Sequence, residues 1–299
     1  MPKELKTLTF DWMKDFFRNA DGIEDESFLL SHDLSVLVDV ASAIRHVIRM
    51  GVLVQVPDYR FGFVSSGHAR IRVNLMEYDV SSGFMAFLSP GTTVEPLEAS
   101  HDFTLTGMVV SSELLRIALG GHLPAILNGE RMASGLCVDS GKHDVIKRLF
   151  RLLCDVLRTQ KDQQVVLGLV ATIIHEFNYL LEGEREQRQA RLTTQQLLFE
   201  RFINLVNAHC VGEHHLGYYA GRMCLSEHYL SMVVRKASGT TAKEWIDRAI
   251  ITQAKIRLMK SDAPVGSVSD ELCFPNPSFF NKYFKRLTGK TPLQFRQER

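Results

Sequence analysis

Long uninterrupted apolar runs are missing from this 299-residue chain, and Met1 to Ala20 carry Lys, Glu, Asp and Arg in place of an apolar core. No signal segment and no bilayer-length stretch is read from it, so no membrane partner is expected. Cysteine is scarce. Cys137, Cys154, Cys210, Cys224 and Cys273 make an odd set on apolar or helical stretches, which suits reduced thiols in a cytoplasmic protein better than a disulfide framework. Catalytic signatures are missing too. The chain has no Gly-x-Ser-x-Gly elbow and no phosphate-cradling glycine loop with Lys. His68 and His101 are isolated, and His175-Glu176 lacks a second His at the zincin spacing. His209, Cys210, Glu213, His214 and His215 lie close together, but adjacent His214 and His215 point different ways, whereas zinc needs four converging ligands. The expectation is therefore no enzyme, no cofactor and no metal.

What is present is an asymmetry. From Thr193 to Arg299 there are 15 Lys and Arg against 9 Asp and Glu; the first 192 residues hold 20 basic and 25 acidic side chains. A basic back half behind a mildly acidic front suggests that only the back half meets a polyanion. The front reads as β. Residues from Ala69 to Tyr78 alternate apolar and polar, and short runs at 52–56, 84–88 and 103–110 are separated by Ser65-Ser66-Gly67, Ser81-Ser82-Gly83 and Ser89-Pro90-Gly91. Many short strands at this spacing predict a small barrel or sandwich. From Lys142 the period changes to three and four, through Val145, Leu149, Leu152, Leu153 and Val156 and then Val166, Leu169, Val170, Ile173, Phe177 and Leu180. Two helices forming a hairpin are expected. Because one short hairpin can hardly bury two stripes on itself, Leu149, Leu152, Val156, Leu169 and Ile173 are candidates for a homodimer contact. The charged run 183–192 is read as a linker, with a solvated continuation of the second helix as the other reading.

The last 107 residues contain an imperfect repeat. Leu225 to Gly239 (LSEHYLSMVVRKASG) and Cys273 to Gly289 (CFPNPSFFNKYFKRLTG) align on Tyr229-Leu230 and Phe279-Phe280, and a short helix precedes each. That is two helix-turn-helix units, at 216–237 and 267–288. On the second helix of the first unit, Leu230, Val233 and Val234 share one face. His228, Met232 and Arg235 face the other way, with Ser231 at the edge. In the second unit Phe280, Tyr283 and Phe284 turn inward, while Ser278, Lys282 and Lys285 turn outward with Asn281 beside them. Base edges of double-stranded DNA suit His228, Ser231, Met232, Arg235, Ser278, Asn281 and Lys282; phosphates suit Lys236, Lys285 and Arg286. Between the units, Ala242 to Lys260 reads as one helix buried through Trp245, Ile246, Ile250, Ala254 and Leu258. It would hold the readers about 34 Å apart, one turn of DNA.

These residues resemble the AraC/XylS family of bacterial transcription regulators over Thr193 to Arg299, through LSEHYLS, FFNKYFKRLTG and the terminal TPLQFR, Thr291 to Arg296. Three positions depart from the family pattern: Cys273 where Gly is usual, Ile250 where the connecting helix usually has Arg, and Met232 where Arg or Gln is frequent. The front half looks like the small cupin-like β-barrel that opens many such regulators, followed by a dimerising hairpin. The resemblance implies a small-molecule effector in the barrel and a homodimer on DNA that contacts RNA polymerase, as an activator. The expected architecture is α+β: a barrel over 1–115, a helical hairpin over 116–182, the linker, and an all-α domain over 193–299 with its two motifs joined by a long helix. The rival reading is a small-molecule-binding or catalytic cupin-type protein whose helical tail is an interaction module.

Overall fold

The computed structural model describes residues 6–7, 28–40, 53–128, 132–159, 162–260 and 263–297. The chain divides into two compact units, one of residues 7–187 and the other of residues 188–299 together with the chain up to Lys6.

The first unit holds two antiparallel sheets. One has five strands in the order β1 (Lys6–Thr7), β4 (Val54–Gln55), β9 (Thr93–Ala99), β6 (His68–Val73), β7 (Met76–Ser81). The other has six, ordered β11 (Ala133–Cys137), β8 (Phe84–Leu88), β5 (Tyr59–Ser66), β10 (Thr104–Val110), β3 (Leu34–Val40), β2 (Phe28–Leu30). The expected single strand from Ala69 to Tyr78 is instead a hairpin. Val73 pairs with Met76 across Asn74-Leu75, and Asn74 takes a φ of 53°, a left-handed conformation that Asn tolerates better than most residues. Gly67, with a φ of 71°, closes the β5–β6 turn; a side chain there would meet the Phe103 backbone at 2.7 Å.

Alternation along the strands gives the six-stranded sheet two different faces. One buries Leu34, Val36, Phe61, Phe63, Met85, Phe87, Met108 and Val110. Against it pack α2 (Ser140–Thr159), through Ile146, Phe150 and Leu153, and α3 (Gln163–Arg191), through Val170, Ile173, Ile174 and Phe177. Phe61, Phe150 and Phe177 meet edge-on at 5.5 and 6.2 Å. Before them, α1 (Ser112–Ala118) is capped by the Ser111 side chain. The opposite face carries Gly135, Ala86, Gly62 and Gly107 in one register row across β11, β8, β5 and β10. Gly107 is required there, since a Cβ would sit 2.6 Å from the Phe61 carbonyl. A smaller apolar layer of Val64, Ala69, Val80 and Phe103 joins the two sheets.

Asp39 ties β3 to α2, with Lys147 Nζ at 3.0 Å and Arg151 Nη2 at 3.5 Å. Burial pushes its carboxyl up, but hydrogen bonds from Ser65, Lys147 and Thr106 and the Lys147 charge outweigh this and leave it lowered.

By length and composition, residues Gln163–Glu186 of α3 could cross a membrane. Its apolar side is nevertheless taken up by the sheet, as in the core helix of a globular protein. Residues 183–191 continue α3 as helix. The charged run lacks an apolar stripe, yet Glu, Arg and Gln are good helix formers, so nothing in it stops the helix.

The second unit is all helical: α4 (Thr194–His209), α5 (Leu216–Arg222), α6 (Glu227–Ser238), α7 (Ala242–Lys260), α8 (Val265–Glu271), α9 (Pro277–Thr288) and α10 (Pro292–Gln297). A capping box between Thr193 and Gln196 starts α4. The predicted stripe of α7 is buried, with Ile246, Ile250, Ala254 and Leu258 at 0% exposure. Ile250, where the resembling family usually has Arg, is core.

Candidate nucleic-acid interface

Two helix pairs, α5–α6 and α8–α9, carry the predicted outward residues, and local sequence dictates both. A C-cap residue ends each first helix, Met223 and Leu272, and is followed by a cysteine in the left-handed region: Cys224 at φ 56° and Cys273 at φ 54°. The next amide then bonds back to the helix, from Leu225 N to Ala220 O at 2.9 Å and from Phe274 N to Ser269 O at 3.0 Å. This is a Schellman-type end whose left-handed position favours glycine, which explains why Gly is usual at Cys273. Cys224 meets the same demand in the first turn.

The second helix of each pair is capped alike. The Ser226 side chain accepts from Tyr229 N, and that of Asn276 from Phe279 N. Gly239 and Gly289 close the helices at φ 71° and 78°. From 228 to 239, every residue has the same burial class as the residue fifty positions later. Leu230, Val233 and Val234 in α6 match Phe280, Tyr283 and Phe284 in α9. The repeat runs on further: Thr241 and Glu244 form a capping box before α7, and Thr291 and Gln294 form its counterpart before α10. Trp245 then packs on Phe199 and Phe295 on Phe284, both at 5.6 Å.

His228, Met232, Arg235 and Lys236 are exposed on α6, with Ser231 half-buried beside them. On α9, Ser278, Lys282, Lys285 and Arg286 are exposed and Asn281 is half-buried. Asn281 is partly committed, because its Nδ2 donates to the Pro277 carbonyl at 2.9 Å. Arg286 stacks over the Tyr283 ring at 5.3 Å and lies 3.8 Å from Asp247.

Sequence reasoning passed over the anchor beneath this face. Asp247 on α7 is 8% exposed; it accepts a 2.7 Å hydrogen bond from the Tyr283 hydroxyl and pairs with Lys243 Nζ at 2.7 Å. Burial and the facing Asp247 carboxylate raise the Tyr283 phenol. A signal was present: Asp247 is a charged residue next to Ile246 on the buried side of α7. Tyr229, 38% exposed, and Phe279, 54% exposed, also lie beside the outward face.

The histidines and cysteine near residue 210 serve packing. His209 contacts the Tyr218 ring, Cys210 is buried, and the His214 ring lies tilted against Phe274 with centroids 4.7 Å apart. Burial lowers the His214 imidazole. Among the described residues no three His, Cys, Asp or Glu side chains are grouped to hold a metal.

The dimerisation candidates separate. Ile173 is 1% exposed and Val156 9%, both within the first unit's core, so neither is available to a second chain. That is a correction: the stripe of α3 that carries Ile173 faces the sheet, and Val156 is buried within its own unit. Leu149 and Leu169 are half-buried against the same core, while Leu152 is 48% exposed.

A family described as a helix-turn-helix domain matches residues 219–298. The arabinose operon regulatory proteins of Salmonella typhimurium and Escherichia coli are each 32% identical over 77 residues, 26% of this chain and 27% and 26% of theirs. The match thus spans about a quarter of those relatives' length. The Msm operon regulatory protein of Streptococcus mutans is 29% identical over 253 residues, 81% of this chain and 84% of its own. ToxT from Vibrio cholerae, a solved structure, covers 82% of this chain and 91% of its own at 13% identity and a TM-score of 0.38.

Proposed function

We propose, from a C-terminal domain that is of the AraC/XylS helix-turn-helix kind, that this protein is a sequence-specific DNA-binding regulator of transcription. The observation that carries the reading is the duplicated reader. Helices α6 and α9 have the same caps and burial, and each turns a hydrogen-bonding and cationic face outward while its apolar face is used up in the core. A structural helix pair has no need of a second, equally exposed basic face.

Each reader enters a major groove, with Arg235 toward the base edges and Lys236, Lys285 and Arg286 near the phosphates. The test is titration of the full chain onto DNA from its own genome at several salt concentrations. With Lys236, Lys285 and Arg286 on phosphates, log affinity should fall with log salt at a slope of about −2.7 or steeper per chain. Salt-insensitive binding, or none at low salt, overturns the reading and favours a barrel that works as a ligand-binding or catalytic module.

The first unit is the regulatory half in this reading, and the protein acts in the cytoplasm as an activator that contacts RNA polymerase. A small-molecule effector is supported by the face of the six-stranded sheet opposite the helices. There Gly135 is exposed, Ala86 and Gly62 are half-buried, and Arg60 lies on the same side of β5. A homodimer is supported by exposed Val145 and Leu152 on α2 and Val165 and Tyr179 on α3.

A further inference from the structure

We infer that the two readers are chemically unlike: Met232 reads a thymine through its 5-methyl group, where Lys282, at the equivalent place on α9, reads a guanine. This rests on the DNA-reading function proposed above and names the bases recognised.

The equivalence is structural. Met232 and Lys282 each follow the half-buried Ser231 or Asn281 and precede a buried pair, Val233-Val234 or Tyr283-Phe284. Cations repeat one turn later in both helices, as Arg235-Lys236 and Lys285-Arg286, so Lys236 in one and Lys285 and Arg286 in the other can grip the backbone. The difference lies at the centre. In α9 the middle of the face is an ammonium flanked by Ser278 and Asn281. In α6 it is a thioether, 46% exposed and flanked by His228 and the 38% exposed ring of Tyr229.

A methionine has no donor to offer guanine O6 and N7, the acceptors that Lys and Arg recognise. The apolar group that a base pair presents in the major groove is the thymine methyl. Met232 meets it with an unbranched, polarisable side chain that fits irregular apolar surfaces. His228, one turn earlier, supplies the hydrogen bond at the neighbouring base pair. A guanine under Met232 would lose hydration at O6 and N7 and gain no partner, which disfavours it.

The test uses the full chain and a duplex library with every base randomised. Enrichment should return a bipartite site, and comparison of wild type with Met232→Ala and Lys282→Ala assigns each half to its helix. The position that loses its preference in Met232→Ala should be a thymine, and the one lost in Lys282→Ala a guanine. Deoxyuridine then replaces that thymine, removing only the methyl. Wild type should bind about fourfold more weakly, the worth of one buried methyl, and Met232→Ala should show no further loss. Met232→Lys should move the first half-site toward guanine. If deoxyuridine binds as thymine does, or if its penalty persists in Met232→Ala, the inference is overturned while DNA reading stands. A library that enriches no sequence at all overturns both.

Discussion

Replacing Asp247 probes how the second reader is held on its scaffold. The carboxylate sits on α7 and accepts the Tyr283 hydroxyl of α9 at 2.7 Å, with 8% of the residue exposed. A hydrogen bond to a charged acceptor contributes about 1.5–3 kcal/mol, and leaving a buried hydroxyl unpaired costs a similar amount. Lys243, 2.7 Å from the same oxygen, has a side chain 53% exposed and adds about 1 kcal/mol at most. Arg286, at 3.8 Å and 64% exposed, contributes less still. Asp247→Ala should therefore destabilise the helical unit by about 2–3 kcal/mol. Tyr283→Phe should cost about 1–2 kcal/mol, because its ring still packs on Phe274 at 5.1 Å. Urea unfolding of wild type, both single variants and the double variant gives the coupling, expected at about 1–2 kcal/mol. The base preference in the half-site read by α9 should also loosen, while that read by α6 stays fixed. A coupling below about 0.5 kcal/mol would refute the claim that this contact positions the helix.

Four further outcomes follow from the same structure. Lys282→Ala should cost about 1–3 kcal/mol on the true site and relax preference at one or two base pairs, whereas Arg286→Ala should weaken all DNA alike and reduce the salt slope by about one; a library of single-base operator variants separates the two. Leu152→Asp changes an exposed residue, so sedimentation should show a folded monomer in place of a dimer, and an unchanged mass moves the interface elsewhere. Burial pushes the Cys210 thiol up to about 12 and raises the Tyr219 phenol as it does Tyr283. Since the unfolded thiol ionises near 9.0, stability from these groups is complete below that pH. It should fall as pH rises toward 12, by up to about 1.4 kcal/mol per pH unit for each group, and calorimetry showing no decline above pH 9 would refute this. Ser269 is fully buried with its Oγ unpaired, where the first repeat has Ala220; Ser269→Ala should stabilise by about 1 kcal/mol in the same calorimetry, and a loss would mean the hydroxyl has a partner.

What the sequence revealed is what repeats locally. A helix turns 100° per residue, so the spacing of Leu230, Val233 and Val234 fixes which way His228, Met232 and Arg235 face. The second copy could be checked against the first, and all ten base and phosphate candidates lie on α6 or α9, exposed or half-buried. The same reasoning misplaced Val156 and Ile173, because a periodic apolar stripe marks a buried face without saying what buries it. For Ile173 an aromatic sheet face of Phe61, Phe63 and Phe87 does so, and those rings come from strands far earlier in the chain. The Ala69 to Tyr78 run misled for a related reason. Alternation with period two continues through a two-residue turn, so the hairpin at Asn74 showed only in a residue type that tolerates a positive φ.

The Asp247–Tyr283 bond lay deepest because its partners are 36 residues apart, and a charged residue on the buried side of α7 signals a partner without naming it. Tyr283 reads as one more core aromatic and Asp247 as an i,i+4 partner for Lys243. Only the crossing of α7 and α9 turns them into one buried contact. The recognition face is thus written in single helices, whereas the alignment of one reader against the other is written in pairs. A substitution at Asp247, 8% exposed and beneath the recognition face, should consequently disturb the half-site read by α9 although Asp247 itself contacts no DNA.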